Sequence, residues 1–180
     1  MDFDTAPIDF AAYQYTLEDA CQISGVVPDT LRSWIKRKTV AVGRKHPKLH
    51  RWFFSGVDLI RLRTMHDMIE TCGARLSVVD SIADSVVARF WESHERNPVT
   101  GQMLEIEAGF RKDKRLMVSF AGGEPMVAES VWDGTTYSTP TPSIGHWAER
   151  FRRPHILVPA DKIISDVQFA IIELHKRDAA

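Results

Sequence analysis

The run "SGVVP", Ser24 to Pro28, constrains the fold of this chain more than any other feature of its sequence. Gly25 can take the left-handed conformation in which helices end. Pro28 suits the first position of a new helix, where its missing N–H costs nothing. A stop and a start this close leave room only for a tight turn between two short helices. Thr16 and Asp19 mark the start of the first helix, a hydroxyl with an acid one turn in. Leu17, Ala20, Cys21 and Ile23 form its inner side. In the second helix Leu31, Trp34 and Ile35 recur at helical spacing and face inward, while Arg32, Ser33, Lys36 and Arg37 point elsewhere. Val27 is a poor residue for the cap of that helix, where Ser, Thr, Asn or Asp would serve better.

The segment after the second helix is unusually basic. The 180-residue chain has a formal charge of -1 and a pI near 6.7. Between Pro28 and Arg63, however, there are ten Lys and Arg residues and only two acids, Asp29 and Asp58. That segment carries a formal +8, which leaves -9 for the remainder. Segregation of this kind implies one face built for a polyanion. Val40 and Val42, then "GRKHPKLHR", then "WFF" read as two short strands joined by a basic loop.

Further along, Ser55 with Asp58 repeats the hydroxyl–acid spacing before a third helix, with Val57, Ile60, Leu62, Met65, Met68 and Ile69 as its apolar positions. Gly73 ends it. Ser77 with Asp80 repeats the spacing again before a fourth helix carrying Val78, Val79, Ile82, Val86 and Val87 and running to Trp91. The polar stretch "HERNPVTGQ" breaks the pattern. The period then changes: "MLEIEAGF", "RLMVSF", "PMVAESVW" and "HILVP" read as strands, "RKDK" and "AGGE" as turns. "DGTTYSTPTPSIG" reads as a long loop. Asp161 is the expected cap of a last helix whose stripe is Ile163, Ile164, Val167, Ala170, Ile171 and Leu174. The expected organisation is a helical domain over 13–92, a linker over 93–102 and a strand-rich domain over 103–180.

Two short helices joined by a tight turn, the second apolar on one side and basic on the other, form a helix-turn-helix. The major groove of B-DNA admits one helix. Thr30, Arg32 and Ser33 lie near its start, where such helices meet base edges. Lys36 and Arg37 suit phosphates, although cations there also complement the helix dipole. The loop from Gly43 to Arg51 is the expected wing, with Arg44, Lys45, Lys48 and Arg51 on the backbone or in the minor groove.

The stretches "YTLEDACQISGVVPDTLRSWIKRK" and "HRWFFSGVDLIRLRTM" resemble the N-terminal domain of MerR-type transcriptional regulators and of related excisionase-like proteins. Tyr15, Ala20, Gly25, Val26, Thr30, Leu31, Arg32 and Trp34 match the first part of the family pattern. Arg51, Phe54, Ser55, Asp58, Leu59 and Leu62 match the second. The resemblance extends from about Tyr15 to Val87. It implies that Thr30, Arg32 and Trp34 lie on a DNA-recognition helix and that Arg51 contacts backbone from the wing. The chain departs from the pattern in Val27, which stands where Ser is usual, and in a longer, more basic wing. Beyond Trp91 it does not match the long helix by which the family dimerises.

Metal and enzyme chemistry have little support. Cys21 and Cys72 have no nearby thiol partner, and His94, His146, His155 and His175 are isolated in sequence. Asp133, His146 and Glu149 share one loop region, but no nucleophile elbow, phosphate loop or HExxH occurs. No apolar run reaches membrane-span length, and two cysteines make no disulfide framework. The start "MDFDTAPIDF" lacks a secretion-signal pattern.

The expectation is thus an α+β chain: a winged helix-turn-helix domain followed by a small strand-rich domain closed by a C-terminal helix. Its expected partner is double-stranded DNA, its compartment the bacterial cytoplasm at the nucleoid, with no cofactor, catalysis or membrane. The second half is expected to dimerise, to sense a small molecule or to recruit a protein. Ile163, Val167, Ala170, Ile171 and Leu174 are the expected pairing stripe of a homodimer, and would equally serve to cover the domain's own sheet. The alternative function is an excisionase-type factor that bends DNA in recombination.

Overall fold

The computed structural model describes residues 8–95, 115–121, 124–132, 137–138 and 157–179. The two short helices are α1, Leu17–Ser24, and α2, Pro28–Arg37. The cap of α1 is the box read from the sequence. The Asp19 carboxylate accepts from the Thr16 backbone N–H and hydroxyl, and the Asp19 N–H donates to Thr16 Oγ1. Gly25 ends the helix at φ 81°. The left-handed conformation favours glycine here, and a Cβ would also stand 2.8 Å from His66 Nε2, so that the His66 ring would have to shift.

After α2 the chain passes through Val40 and Val42, both buried, and forms a minimal antiparallel hairpin of β1, Arg44–Lys45, and β2, Trp52–Phe53. Arg44 pairs with Phe53 and Lys45 with Trp52. The ladder is displaced from the expected one: the two valines fill the core and stay outside it. Gly43, at φ 71°, lies against the Phe54 ring, where a Cβ would approach to 2.8 Å. Fully buried Phe54 forms a bridge with Tyr15, so the root of the hairpin is tied to the segment just before α1.

Helix α3, Gly56–Cys72, starts with the second expected box, Ser55 with Asp58, here buried. Helix α4, Leu76–Glu95, differs from expectation at both ends. It begins before Ser77, so the Ser77–Asp80 spacing is no cap. The Asp80 carboxylate accepts instead from Arg61 on α3 at 2.9 Å. Val78 is exposed, while Val79, Ile82, Ala83, Val86 and Phe90 are buried. The helix also continues through residues 93–95, which the sequence pattern assigns to the linker.

Four further strands, β3 (Arg115–Ala121), β4 (Glu124–Trp132), β5 (Tyr137–Ser138) and β6 (Leu157–Pro159), make one antiparallel sheet in the order β5-β4-β3-β6. Three expected strands correspond to β3, β4 and β6. The fourth, "MLEIEAGF", and the turn "RKDK" lie outside the described residues. Strand β5 falls within the stretch read as loop.

The last helix, α5 (Ala160–Asp178), begins one residue before Asp161, the expected cap. It packs against α1, α3 and α4 as well as β3. Ile163, Val167, Ile171 and Leu174 are buried in the same apolar cluster as Ile23, Leu62, Met65 and Ile82, and Ala170 packs against that cluster half-buried. The stripe read as a pairing surface therefore lies inside the chain. The physical reason is that α1, α3 and α4 carry apolar faces that the short α2 and the two-residue strands are too small to cover. The division at 93–102 likewise assigns to a second unit a helix that shares its core with the first. At the far end of α5, the His175 ring stacks on Tyr15 at 6.0 Å.

Candidate nucleic-acid interface

Helix α2 is held by one side. Leu31 is fully buried, and Trp34 and Ile35 are half-buried against the core. The turn before it is braced by Ser24, whose buried hydroxyl donates to the Ala20 carbonyl at 2.6 Å and accepts from the Val26 N–H. Val26 is buried, while Val27 at the N-cap is exposed and supplies no side-chain acceptor. The C-terminus closes at Lys38, in the left-handed conformation at φ 53°. Its N–H donates to the Ile35 and Trp34 carbonyls, and the Thr39 N–H and hydroxyl donate to the Trp34 carbonyl.

The outer side of α2 carries the residues expected to meet DNA. Thr30, Arg32, Lys36 and Arg37 are exposed, and Ser33 is half-buried. Arg32 donates to Asp29 at 2.8 Å, both side chains being well exposed. An exposed pair of this kind is held by at most about 1 kcal/mol. A phosphate or a base edge can therefore draw the guanidinium away. Trp34 is a seating residue with one half in the core.

In the hairpin, Arg44, Lys45, Lys48 and Arg51 are all exposed. The loop between the strands is closed by short hydrogen bonds: the His46 N–H donates to the Arg51 carbonyl at 2.8 Å, and the His50 N–H to the His46 carbonyl at 3.0 Å. The His46 ring adds a second brace. Its Nδ1 accepts from the backbone N–H of Lys48 and of Leu49, which requires the ring proton on Nε2, and the ring makes a T-shaped contact with Phe53 at 6.0 Å. His50 sits at φ 53°, a conformation that His adopts more readily than most residues. The loop is thus a defined turn. His46, Leu49 and His50 were not singled out from sequence; the signal was a His immediately before a turn that its ring could cap.

Apart from Arg32, with its exposed partner Asp29, the ten basic residues of this segment separate electrostatically into two groups. Arg61, only 16% exposed, bridges Asp80 at 2.9 Å and Asp84 at 2.7 Å and so ties α3 to α4. Burial alone would lower its pKa, but hydrogen bonding to Asp80 and the charges of both acids hold it above the ordinary value. Arg63 pairs with Asp67 along α3. These two are structural. Lys36, Arg37, Lys38, Arg44, Lys45, Lys48 and Arg51 are exposed and form no ion pair among the described residues. Seven free cations between Lys36 and Arg51, next to the polar side of a seated helix, make a surface for a polyanion.

Elsewhere the described residues offer little chemistry. No group of three or more His, Cys, Asp or Glu could hold a metal ion among them, and none of their helices is long and apolar enough to cross a membrane. Burial pushes the Cys21 thiol up in pKa despite the charge of Arg32. Asp133, His146 and Glu149 lie outside the described residues.

Residues 15–85 match the family model of the MerR helix-turn-helix family of regulatory proteins. The match runs from Tyr15, the bridge residue before α1, into α4, so it covers α1, α2, the hairpin and α3. Over those residues the N-terminal region is similar to a MerR-type helix-turn-helix. No curated protein matches the chain.

Proposed function

We propose that this chain, whose N-terminal region is similar to a MerR-type helix-turn-helix, is a sequence-specific regulator of transcription that sets α2 in the major groove of duplex DNA. The β1–β2 hairpin is its wing on the backbone or minor groove. The observation that carries the reading is the run of seven cations from Lys36 to Arg51 that form no ion pair among the described residues, beside a helix whose outer side offers Thr30, Arg32 and Ser33. Cations fix position through phosphates, and the three polar side chains reach base edges.

One module of this size reads few bases, so the reading includes two copies on two half-sites, about 34–36 Å or a multiple of it apart. With the α5 stripe in the core, the pairing surface belongs to another part of the chain. The second half is assigned the effector or partner role, and the protein a place at the bacterial nucleoid. Binding-site selection from random duplexes tests the function. A defined motif is expected, with Thr30→Ala and Ser33→Ala each relaxing preference at one position at a cost of about 1–3 kcal/mol. Enrichment of no motif overturns it.

A further inference from the structure

The tip of the hairpin carries an apolar side chain where charge alone would suffice. Leu49 is 57% exposed, at the end of the turn 47–49. It sits between Lys48 on one side and His50 and Arg51 on the other, with Lys45 at the other root of the loop. A lone exposed leucine is not by itself a sign of function; its place among cations is what singles this one out. Nor is Leu49 left over from a mobile segment: its own N–H donates to His46 Nδ1 at 3.1 Å, the neighbouring Lys48 N–H shares that acceptor, and His46 and His50 close the turn through the backbone. The Leu49 backbone is fixed, and the side chain stands out from the core among cations.

We infer that Leu49 is a minor-groove wedge that enters a base step and kinks the duplex, while Lys48 and Arg51 hold the flanking phosphates. The inference rests on the DNA-binding reading above and adds to it a deformation of the DNA. Apolar wedges of this type partly unstack a step and bend DNA by about 20–90°. The energy needed depends on the step, being least at flexible pyrimidine–purine steps such as TA and CA. Leu49 therefore confers preference at a position where it makes no hydrogen bond. This is specificity through deformability, complementary to the hydrogen-bonding side chains of α2.

The test uses the full-length chain and a duplex recovered by selection with it. Each adenine of that duplex is replaced in turn by the fluorescent analogue 2-aminopurine, which brightens when unstacked, and end-to-end energy transfer reports the bend. The unsubstituted protein is expected to brighten one step and shorten the end-to-end distance. Leu49→Ala is expected to bind with the same salt dependence, without the brightening and with the bend lost; Leu49→Met is expected to retain both. Because Leu49 is mostly exposed, outside the apolar core, the Ala variant is expected to fold as the parent does, which its circular dichroism checks. Equal brightening and bending by the parent and Leu49→Ala, or no brightening at any position, overturns the wedge and leaves DNA binding standing. Failure of the selection to recover any bound duplex overturns the DNA-binding reading and the wedge with it.

Discussion

The two capping boxes have the same chemistry and opposite surroundings, which makes their comparison a sharp test of the energetics. In Asp58→Ala, Ser55 Oγ still accepts from the residue 58 N–H, so that half of the box survives. What is lost is the carboxylate that accepts from the Ser55 N–H and hydroxyl, both at 2.9 Å. Ser55 and Asp58 are buried, at 4% and 8% exposure, so water does not readily replace the missing acceptor. An unsatisfied buried donor costs about 1–3 kcal/mol, and loss of the anion at the helix N-terminus about 0.3–1 kcal/mol more. The expected destabilisation is therefore about 1.3–4 kcal/mol. In Asp19→Ala the same bonds are lost from Thr16, but Thr16 is exposed and its groups rehydrate. There the cost is expected near the low end for a cap, about 0.5–1 kcal/mol. Urea unfolding followed by circular dichroism, with linear extrapolation, measures both. Equal losses in the two variants would refute the argument that burial sets the value of the cap.

Three further outcomes are expected from the same geometry. Gly25→Ala must accept a left-handed residue and a contact with the His66 ring, so it is expected to lower stability by about 1–2 kcal/mol from conformation alone, with part of any excess recovered in Gly25→Ala/His66→Ala; thermal melting reads both. Val27→Ser supplies the acceptor that α2 lacks and is expected to raise stability by about 1 kcal/mol in urea unfolding. Since burial raises the Cys21 pKa above the usual 9.0, less of it is thiolate at any given pH. Its alkylation, followed by peptide-resolved mass spectrometry, is expected to be slower than that of a free thiol and to rise only at more alkaline pH; a rate matching free cysteine near neutrality would contradict this.

Local signals were legible in the sequence because a few adjacent residues decide them. Thr16 with Asp19, Ser55 with Asp58, the Gly25 turn and Pro28 at the head of α2 all form as their spacing implies. The same spacing failed at Ser77–Asp80, because α4 already begins at Leu76 and a partner on α3, Arg61, uses the carboxylate. Nothing near Arg61 in sequence distinguishes it from the free cations, since only the packing of α3 against α4 brings Asp80 and Asp84 to it; for Arg63 the signal was local, Asp67 one helical turn on. The stripe on α5 announced that something covers it without saying what. Its cover is the helical core of the N-terminal region, a contact between distant parts of the chain. The candidate interface itself was readable as a basic segment. Its defined tip was not, since that depends on a ring nitrogen of His46 meeting two backbone N–H groups.

The central claim is that the free cations between Lys36 and Arg51 bind DNA phosphates, and the salt dependence of binding tests it most directly. If about five of them reach phosphates, log Kobs falls against log salt with a slope of about -4.5, a loss of about 500-fold between about 50 and 200 mM salt. Replacing Lys45, Lys48 and Arg51 together by Ala removes up to three contacts from exposed side chains. That variant is expected to flatten the slope by about 2.7, on the selected duplex and on unrelated ones alike. A slope near zero for the unsubstituted protein, or the same slope in the variant, would contradict the account.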